Sequence, residues 1–166
     1  MERSIDIDQV RALVQQARTH VGRKAGRTPI RTVLYRLSRG RIDKRPRYTT
    51  GQLPELGTPW QDTVSGRFFG WRCRQAILDG DFAFAVEYVI CRQCGIGWVD
   101  KPYTAEEYQR NGLASAAFAA LREEYQGLEW YAGSGHLRDS KPFWAAVGRG
   151  VPGGYLPRIP CEHVTR

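Results

Sequence analysis

The sequence predicts an α/β chain of the α+β type: a mixed sheet with an antiparallel meander, flanking helices and a basic helical N-terminal segment. Three observations predict it. Apolar residues recur at helical spacing near both ends of the chain, strand-like runs joined by very short polar turns fill the middle, and positive charge is concentrated at the start. A length of 166 residues suits one compact unit, and 42% apolar with 25% charged residues is ordinary globular composition. No apolar run approaches the roughly 20 residues of a membrane span. The opening Met1-Glu2-Arg3-Ser4-Ile5-Asp6 lacks the basic and then apolar stretch of a secretory signal, so the expectation is a soluble cytoplasmic protein without membrane contact.

Val10, Leu13, Val14, Ala17 and Val21 follow helical spacing, with Asp6 as N-cap and Gln9 three residues on. Thr28-Pro29 announces a second helix, with Ile30, Val33, Leu34 and Leu37 on one face and Gly40 at its end. Residues 41–66 read as a long connection with room for one short strand. Residues 68–78 and 82–90 read as strands around an Asp79-Gly80-Asp81 hairpin turn. A tight turn over residues 91–95 leads to a strand at 96–99. A helix is predicted over 112–124, a short strand over 128–131, a polar loop over 133–139 and a helix over 142–147. The tail is rich in glycine and closes on Cys161-Glu162-His163.

The first 50 residues carry 13 Lys/Arg against 4 Asp/Glu, while the remaining residues carry 12 against 13. The whole net charge of +8 therefore belongs to residues 1–50. That asymmetry divides the chain into a basic segment, 1–50, and a core with its tail, 51–166. It suggests an anionic partner, with nucleic acid (tRNA or DNA) the commonest, against the plainer reading of a solvated basic face.

Gln109-Arg110-Asn111-Gly112-Leu113-Ala114 stands where a strand gives way to a helix. A glycine there lets the backbone turn and approach a ligand. Free N–H groups at the positive end of a helix hold phosphate, and Arg110 adds a charge. In this context the segment resembles the acyl-CoA signature of the GNAT superfamily, the Gcn5-related N-acetyltransferases. That signature reads Gln/Arg-x-x-Gly-x-Gly/Ala, met here by Gln109, Gly112 and Ala114. The resemblance spans residues about 67–155, because the meander, the signature helix, a fifth strand and a helix ending in Phe143-Trp144 and Gly148 keep the family's order. It implies acetyl-CoA as co-substrate, direct acyl transfer to an amine, and a backbone N–H near Val99 or Asp100 that polarises the thioester. Three departures stand out. The link from residue 99 to 109 is long, the chain opens on a helix rather than a strand, and Trp144 occupies the position of a tyrosine acid.

The resemblance implies a base for the amine and an acid for the thiolate. Glu87 on the 82–90 strand and His136 beyond the fifth strand are the base candidates, and Tyr155 or Ser140 the acids. The plainer readings are an outward strand carboxylate and a loop imidazole bonded to backbone. Cys91-x-x-Cys94-Gly95 forms a knuckle, and Cys161 with His163 completes a Cys3His set of the structural zinc type, expected in an extended tail. A redox Cys-x-x-Cys normally opens a helix, whereas this one lies between strands. Cys73 reads as a small core residue. Together these readings point to a GNAT-like acetyltransferase acting on an unidentified amine. The alternative is a non-catalytic, zinc-stabilised nucleic-acid-binding or regulatory module on a degenerate fold of that type.

Overall fold

The structure, a computed structural model, describes residues 6–19, 21–23, 33–34, 37–38, 56–68 and 70–165. Its elements are α1 (Ile7–Gln16), β1 (Val21–Arg23), β2 (Trp60–Val64), β3 (Arg72–Leu78), β4 (Asp81–Cys91), β5 (Ile96–Thr104), α2 (Leu113–Glu124), β6 (Glu129–Ala132), α3 (Lys141–Gly148) and α4 (Glu162–Thr165). Short 3₁₀ turns at Glu106–Tyr108 and Arg138–Ser140 precede α2 and α3. The six strands form one sheet in the order β1-β2-β3-β4-β5-β6. Pairing is antiparallel from β2 to β5 and parallel at both ends, β1 with β2 and β5 with β6. This is the predicted mixed sheet flanked by helices.

Asp6 caps α1 by accepting the Asp8 N–H at 3.0 Å, and Val10, Leu13 and Ala17 turn inward. The helix ends earlier than its apolar spacing predicts, for Val21 belongs to a strand. Gly22 lets that strand pack closely. A Cβ there would stand 2.4 Å from the Thr58 hydroxyl, so only glycine lets β1 lie against the chain leading into β2. The helix expected after Thr28-Pro29 lies largely outside the described residues. Its described apolar positions, Val33, Leu34 and Leu37, are exposed.

The predicted connection over 41–66 contains a strand near the middle of the sheet. Gln61, Asp62 and Thr63 on β2 are buried although polar, and for Gln61 and Asp62 β3 and β4 supply partners. Gln75 donates to Gln61 at 3.1 Å. Asp62 accepts from Arg74 Nε and Nη2 at 3.0 and 2.8 Å, from Arg72 and from the Tyr88 hydroxyl. Arg74, itself 0% exposed, also reaches Glu124 on α2 at 2.7 Å. Buried charge is tolerable only in such a bonded set. Burial and the neighbouring Asp62 push the Tyr88 phenol up, so it keeps the proton it donates.

One face of the sheet carries the main core, where Trp60, Phe84, Val86 and Val99 meet α1 and α2. Residues 7–23 share that core with residues 56–165, since α1 packs on α2 and β1 pairs with β2. Behind the other face, Trp71, Val89, Cys91, Ile96 and Trp98 form a smaller cluster covered by Phe68, Tyr131, Cys161 and Val164. Asp79 and Gly80 both take positive φ, 53° and 80°, as a two-residue hairpin turn of matching twist requires. β5 outruns its predicted end at residue 99. It continues to Thr104 past an irregularity opposite Ala85 and Glu87, and Lys101 takes φ 45° there.

Candidate functional site

β5 and β6 run parallel from the Ile96–Glu129 pair to the Val99–Ala132 pair, and there the pairing ends. The Gly133 N–H closes the last rung on the Val99 carbonyl at 2.8 Å. Beyond it β5 follows β4, while the chain after β6 turns into the loop ahead of α3. The two chains stay close just past the last rung: a Cβ on Gly133 would stand 3.6 Å from the Asp100 Cβ, and the Ser134 hydroxyl donates to Asp100. Val99 itself is fully buried at the base of the parting.

α2 packs on β5, and the loop before it is bonded to the end of that strand at Thr104. Arg110 and Gly112 take left-handed φ values of 62° and 84°. Gly112 is the N-cap and has no side chain to bond the first turn. The first backbone bond of the helix runs from Ala116 N–H to Gly112 O at 2.9 Å. Leu113 is buried and anchors the turn in the core, and Ala114 packs against it from the rim. Gln109 donates to Thr104 O at 3.2 Å and Asn111 donates to Gln109 O at 3.0 Å, so the loop is shaped by its own side chains. Arg110 is exposed. The result is an open helix N-terminus of the kind that holds phosphate oxygens.

The acid and base candidates fall in different surroundings. Glu87 is half-buried on β4, directly between Cys73 of β3 and Asp100 of β5. Asp100 is 5% exposed and accepts from the Ser134 hydroxyl, which ties β5 to the loop after β6. Two residues on, His136 lies flat on Trp144, with ring centroids 4.7 Å apart and planes inclined by 6°. Its Nε2 stands 2.8 Å from the Tyr155 carbonyl. A carbonyl only accepts, so Nε2 carries the proton and Nδ1 is the lone-pair nitrogen. Tyr155 is fully buried among Phe118, Trp130 and Trp144, and its hydroxyl accepts from Arg122 at 2.8 Å. Burial pushes its phenol up against the opposing effect of Arg122. Expected as an acid, Tyr155 is a core side chain here, and the Ser140 hydroxyl donates to Leu137 O at 2.9 Å.

The structure gathers Cys91, Cys94, Cys161 and His163. Their four ligand atoms lie within 4.8 Å of one another, with His163 Nδ1 at 3.8 Å from Cys91 Sγ and 3.4 Å from Cys94 Sγ. Tetrahedral zinc, with bonds of about 2.3 Å to sulfur and about 2.0 Å to nitrogen, has edges of roughly 3.5–3.8 Å. The two separations to His163 match such edges, and the widest, up to 4.8 Å, would have to close by up to about 1 Å around an ion. The knuckle is the β4–β5 turn, as its spacing predicts. The second pair spans the start of α4 rather than an extended tail, with Cys161 just before the helix and His163 in its first turn. Burial pushes the Cys91 thiol up. The Cys94 N–H and the thiols of Cys94 and Cys161 outweigh it and hold Cys91 below the ordinary range, while Cys94 is pushed up to about 11 by the same bonds.

No protein-family model and no curated protein matches this chain. Among solved structures it is similar to an aminoglycoside acetyltransferase from an uncultured soil metagenomic sample. In that protein's complex with trehalose the identity is 10%, with 86% of this chain and 83% of the other covered, at a TM-score of 0.42. In its complex with sisomicin the identity is 9%, with 95% and 90% covered, again at a TM-score of 0.42.

Sequence reading missed the Asp100–Ser134 bond, the Trp144 platform beneath His136 and the Asp62–Arg74–Glu124 network. The first two depend on loop geometry that no local spacing encodes. The third left one signal, a charged and polar triplet inside an otherwise strand-like stretch at Trp60–Val64.

Proposed function

We propose that the chain is an acyl-CoA-dependent N-acyltransferase that moves an acetyl group from acetyl-CoA to an amine. The observation that supports this is the uncapped N-terminus of α2, a helix that packs on β5. A pyrophosphate held by the N–H groups of residues 112–115, with Arg110 at its side, would direct the rest of the molecule toward the parting strands. The acyl group would then reach the region bounded by Val99, Asp100, Ser134 and His136. Transfer is direct: the amine nitrogen attacks the thioester carbon, the C–S bond breaks, and one proton passes from nitrogen to sulfur. Glu87 and His136 are the base candidates.

A structural zinc ion on Cys91, Cys94, Cys161 and His163 belongs to the same proposal. It would fix α4 over the Trp71–Trp98 cluster and supply no chemistry to the reaction. The basic residues 1–50 are proposed to hold an anionic carrier of the amine, such as the RNA of an aminoacyl-tRNA. One observation favours the non-catalytic alternative: Trp144, at the place of the family's tyrosine, has no ionisable proton.

Incubation with acetyl-CoA and a panel of amines (a lysine peptide, spermidine and bulk aminoacyl-tRNA), read by mass spectrometry, tests the proposal. Free CoA together with an acceptor heavier by one acetyl group is expected. Binding of acetyl-CoA without turnover of any amine supports the regulatory alternative.

A further inference from the structure

We propose that His136, held by Trp144, is the single proton carrier of the reaction, taking the proton from the attacking amine and returning it to the departing thiolate. The inference rests on the acyltransferase reading above. It goes further in assigning both proton transfers to one residue and a positioning role to the tryptophan.

The geometry restricts this ring unusually for a loop histidine. One face is covered by Trp144 at 4.7 Å, nearly parallel, and Trp144 is itself only 6% exposed against Phe118 and Tyr155. The edge bearing Nε2 is committed to the Tyr155 carbonyl at 2.8 Å. Rotation about the ring axis is thus blocked, the tautomer is fixed, and Nδ1 alone is left to exchange protons. Both contacts suit the imidazolium that forms when Nδ1 takes a proton. A cation is favoured over the face of tryptophan, and a charged N–H makes a stronger bond to a carbonyl. The loop that carries the ring is itself fixed by the Ser134–Asp100 bond and by the Gly133–Val99 rung.

The other hydroxyls near this end are buried or already donate their proton. Tyr155 Oη is buried and accepts from Arg122, Ser140 Oγ donates to Leu137 O, and Ser134 Oγ donates to Asp100. The charged groups on the elements around the ring are Asp100 and Lys101 of β5, Arg122, Glu123 and Glu124 of α2, Arg138 and Asp139 of the turn, and Lys141 of α3. With one carrier the balance closes. The amine N–H proton moves to Nδ1 as the C–N bond forms, and the same proton moves to sulfur as the C–S bond breaks, leaving His136 neutral and ready for another cycle. No tyrosine is then needed where Trp144 stands.

The test compares wild type, His136→Gln, Trp144→Leu and Trp144→Phe, all as the full chain. Acetyl-CoA binding is measured by calorimetry and thiol release by a chromogenic disulfide, using whichever panel amine the wild type acetylates. Gln keeps an N–H able to reach the Tyr155 carbonyl but has no basic nitrogen to take a proton. The expected result is unchanged acetyl-CoA affinity and a fall in kcat of about a hundredfold or more in His136→Gln. Trp144→Leu should lower kcat at constant KM for acetyl-CoA and displace the acid limb of the pH profile, and Trp144→Phe should restore both. A His136→Gln enzyme within threefold of wild type, with the same pH profile, overturns this inference and leaves the acyltransferase reading standing. A wild type that binds no acetyl-CoA, or binds it and turns over no amine, overturns the acyltransferase reading and this inference with it.

Discussion

Replacing Cys161 by serine removes one of the four atoms that lie within 4.8 Å of one another at the β4–β5 turn. The expected loss can be worked from what the ligand ties down. Cys161 and Val164 pack on the Trp71 and Trp98 cluster, so a metal there holds α4 over an apolar surface as well as joining two chain ends. An ion that binds only the folded chain, present at 100 to 1,000 times its dissociation constant, stabilises it by about 2.7 to 4.1 kcal/mol. For 166 residues the unfolding entropy near 60 °C is roughly 0.35 kcal/mol per kelvin, so each kcal/mol moves Tm by about 3 °C. Chelation should thus lower the wild-type Tm by roughly 8–12 °C, and Cys161→Ser should start near that lower value and respond little to chelator. The assay is differential scanning fluorimetry with and without chelator. It is paired with elemental analysis of protein purified without a metal-affinity tag. Protein that contains no zinc and melts at the same temperature with chelator would refute the reasoning and leave four thiol and imidazole groups that merely pack.

Asp62→Asn should be among the most destabilising single changes. It removes one of the two carboxylates that pair with Arg74, which is 0% exposed, and leaves only Glu124. Breaking a buried pair of this kind costs about 3–5 kcal/mol, read as a lower urea midpoint at unchanged slope, and a loss under about 1 kcal/mol would contradict the assignment. Cys73 should resist iodoacetamide in the native chelated protein while Cys94 reacts. Burial, with Glu87 and Asp62 nearby, pushes the Cys73 thiol far up, whereas Cys94 is exposed. Peptide mapping that finds Cys73 labelled at native rates would show the core site to be open. Binding of labelled tRNA should weaken steeply with salt, and charge reversal at Arg23, Lys24 and Arg27 should weaken it further. Arg23 should contribute least of the three, since it is already paired with Glu124, and unchanged binding in the triple variant would remove the RNA proposal.

The meander, α2, β6 and α3 were legible because their signals are local: alternation, a two-residue turn with positive φ, a glycine at a helix start. β2 was legible only as room for one short strand within 41–66, because its interior is polar and Asp62 is satisfied by arginines ten and twelve positions away. β1 was hidden by the apolar spacing that carries Val21 on from α1, and the close packing of Gly22 on Thr58 is not a local signal. The four metal ligands were legible as two close pairs, yet the helical turn at Glu162–Thr165 that carries His163 was not. Among the acid–base candidates, residue type pointed to Tyr155. Its position 0% exposed beneath Trp144 depends on packing between α2, β6 and α3, which composition and spacing do not encode.

The most direct measurement of the acyl-CoA assignment is calorimetric titration of acetyl-CoA into the wild type and into Gly112→Asp. Gly112 sits at φ 84° with open space where a Cβ would stand, so a side chain there strains the turn and projects outward. A carboxylate at that point would oppose a pyrophosphate on the first turn of α2. Circular dichroism on both proteins separates loss of the site from loss of the fold. The expected result is saturable binding to the wild type and at least a tenfold weaker affinity in a folded Gly112→Asp. Equal affinity in the two proteins, or no binding to the wild type, would contradict the assignment.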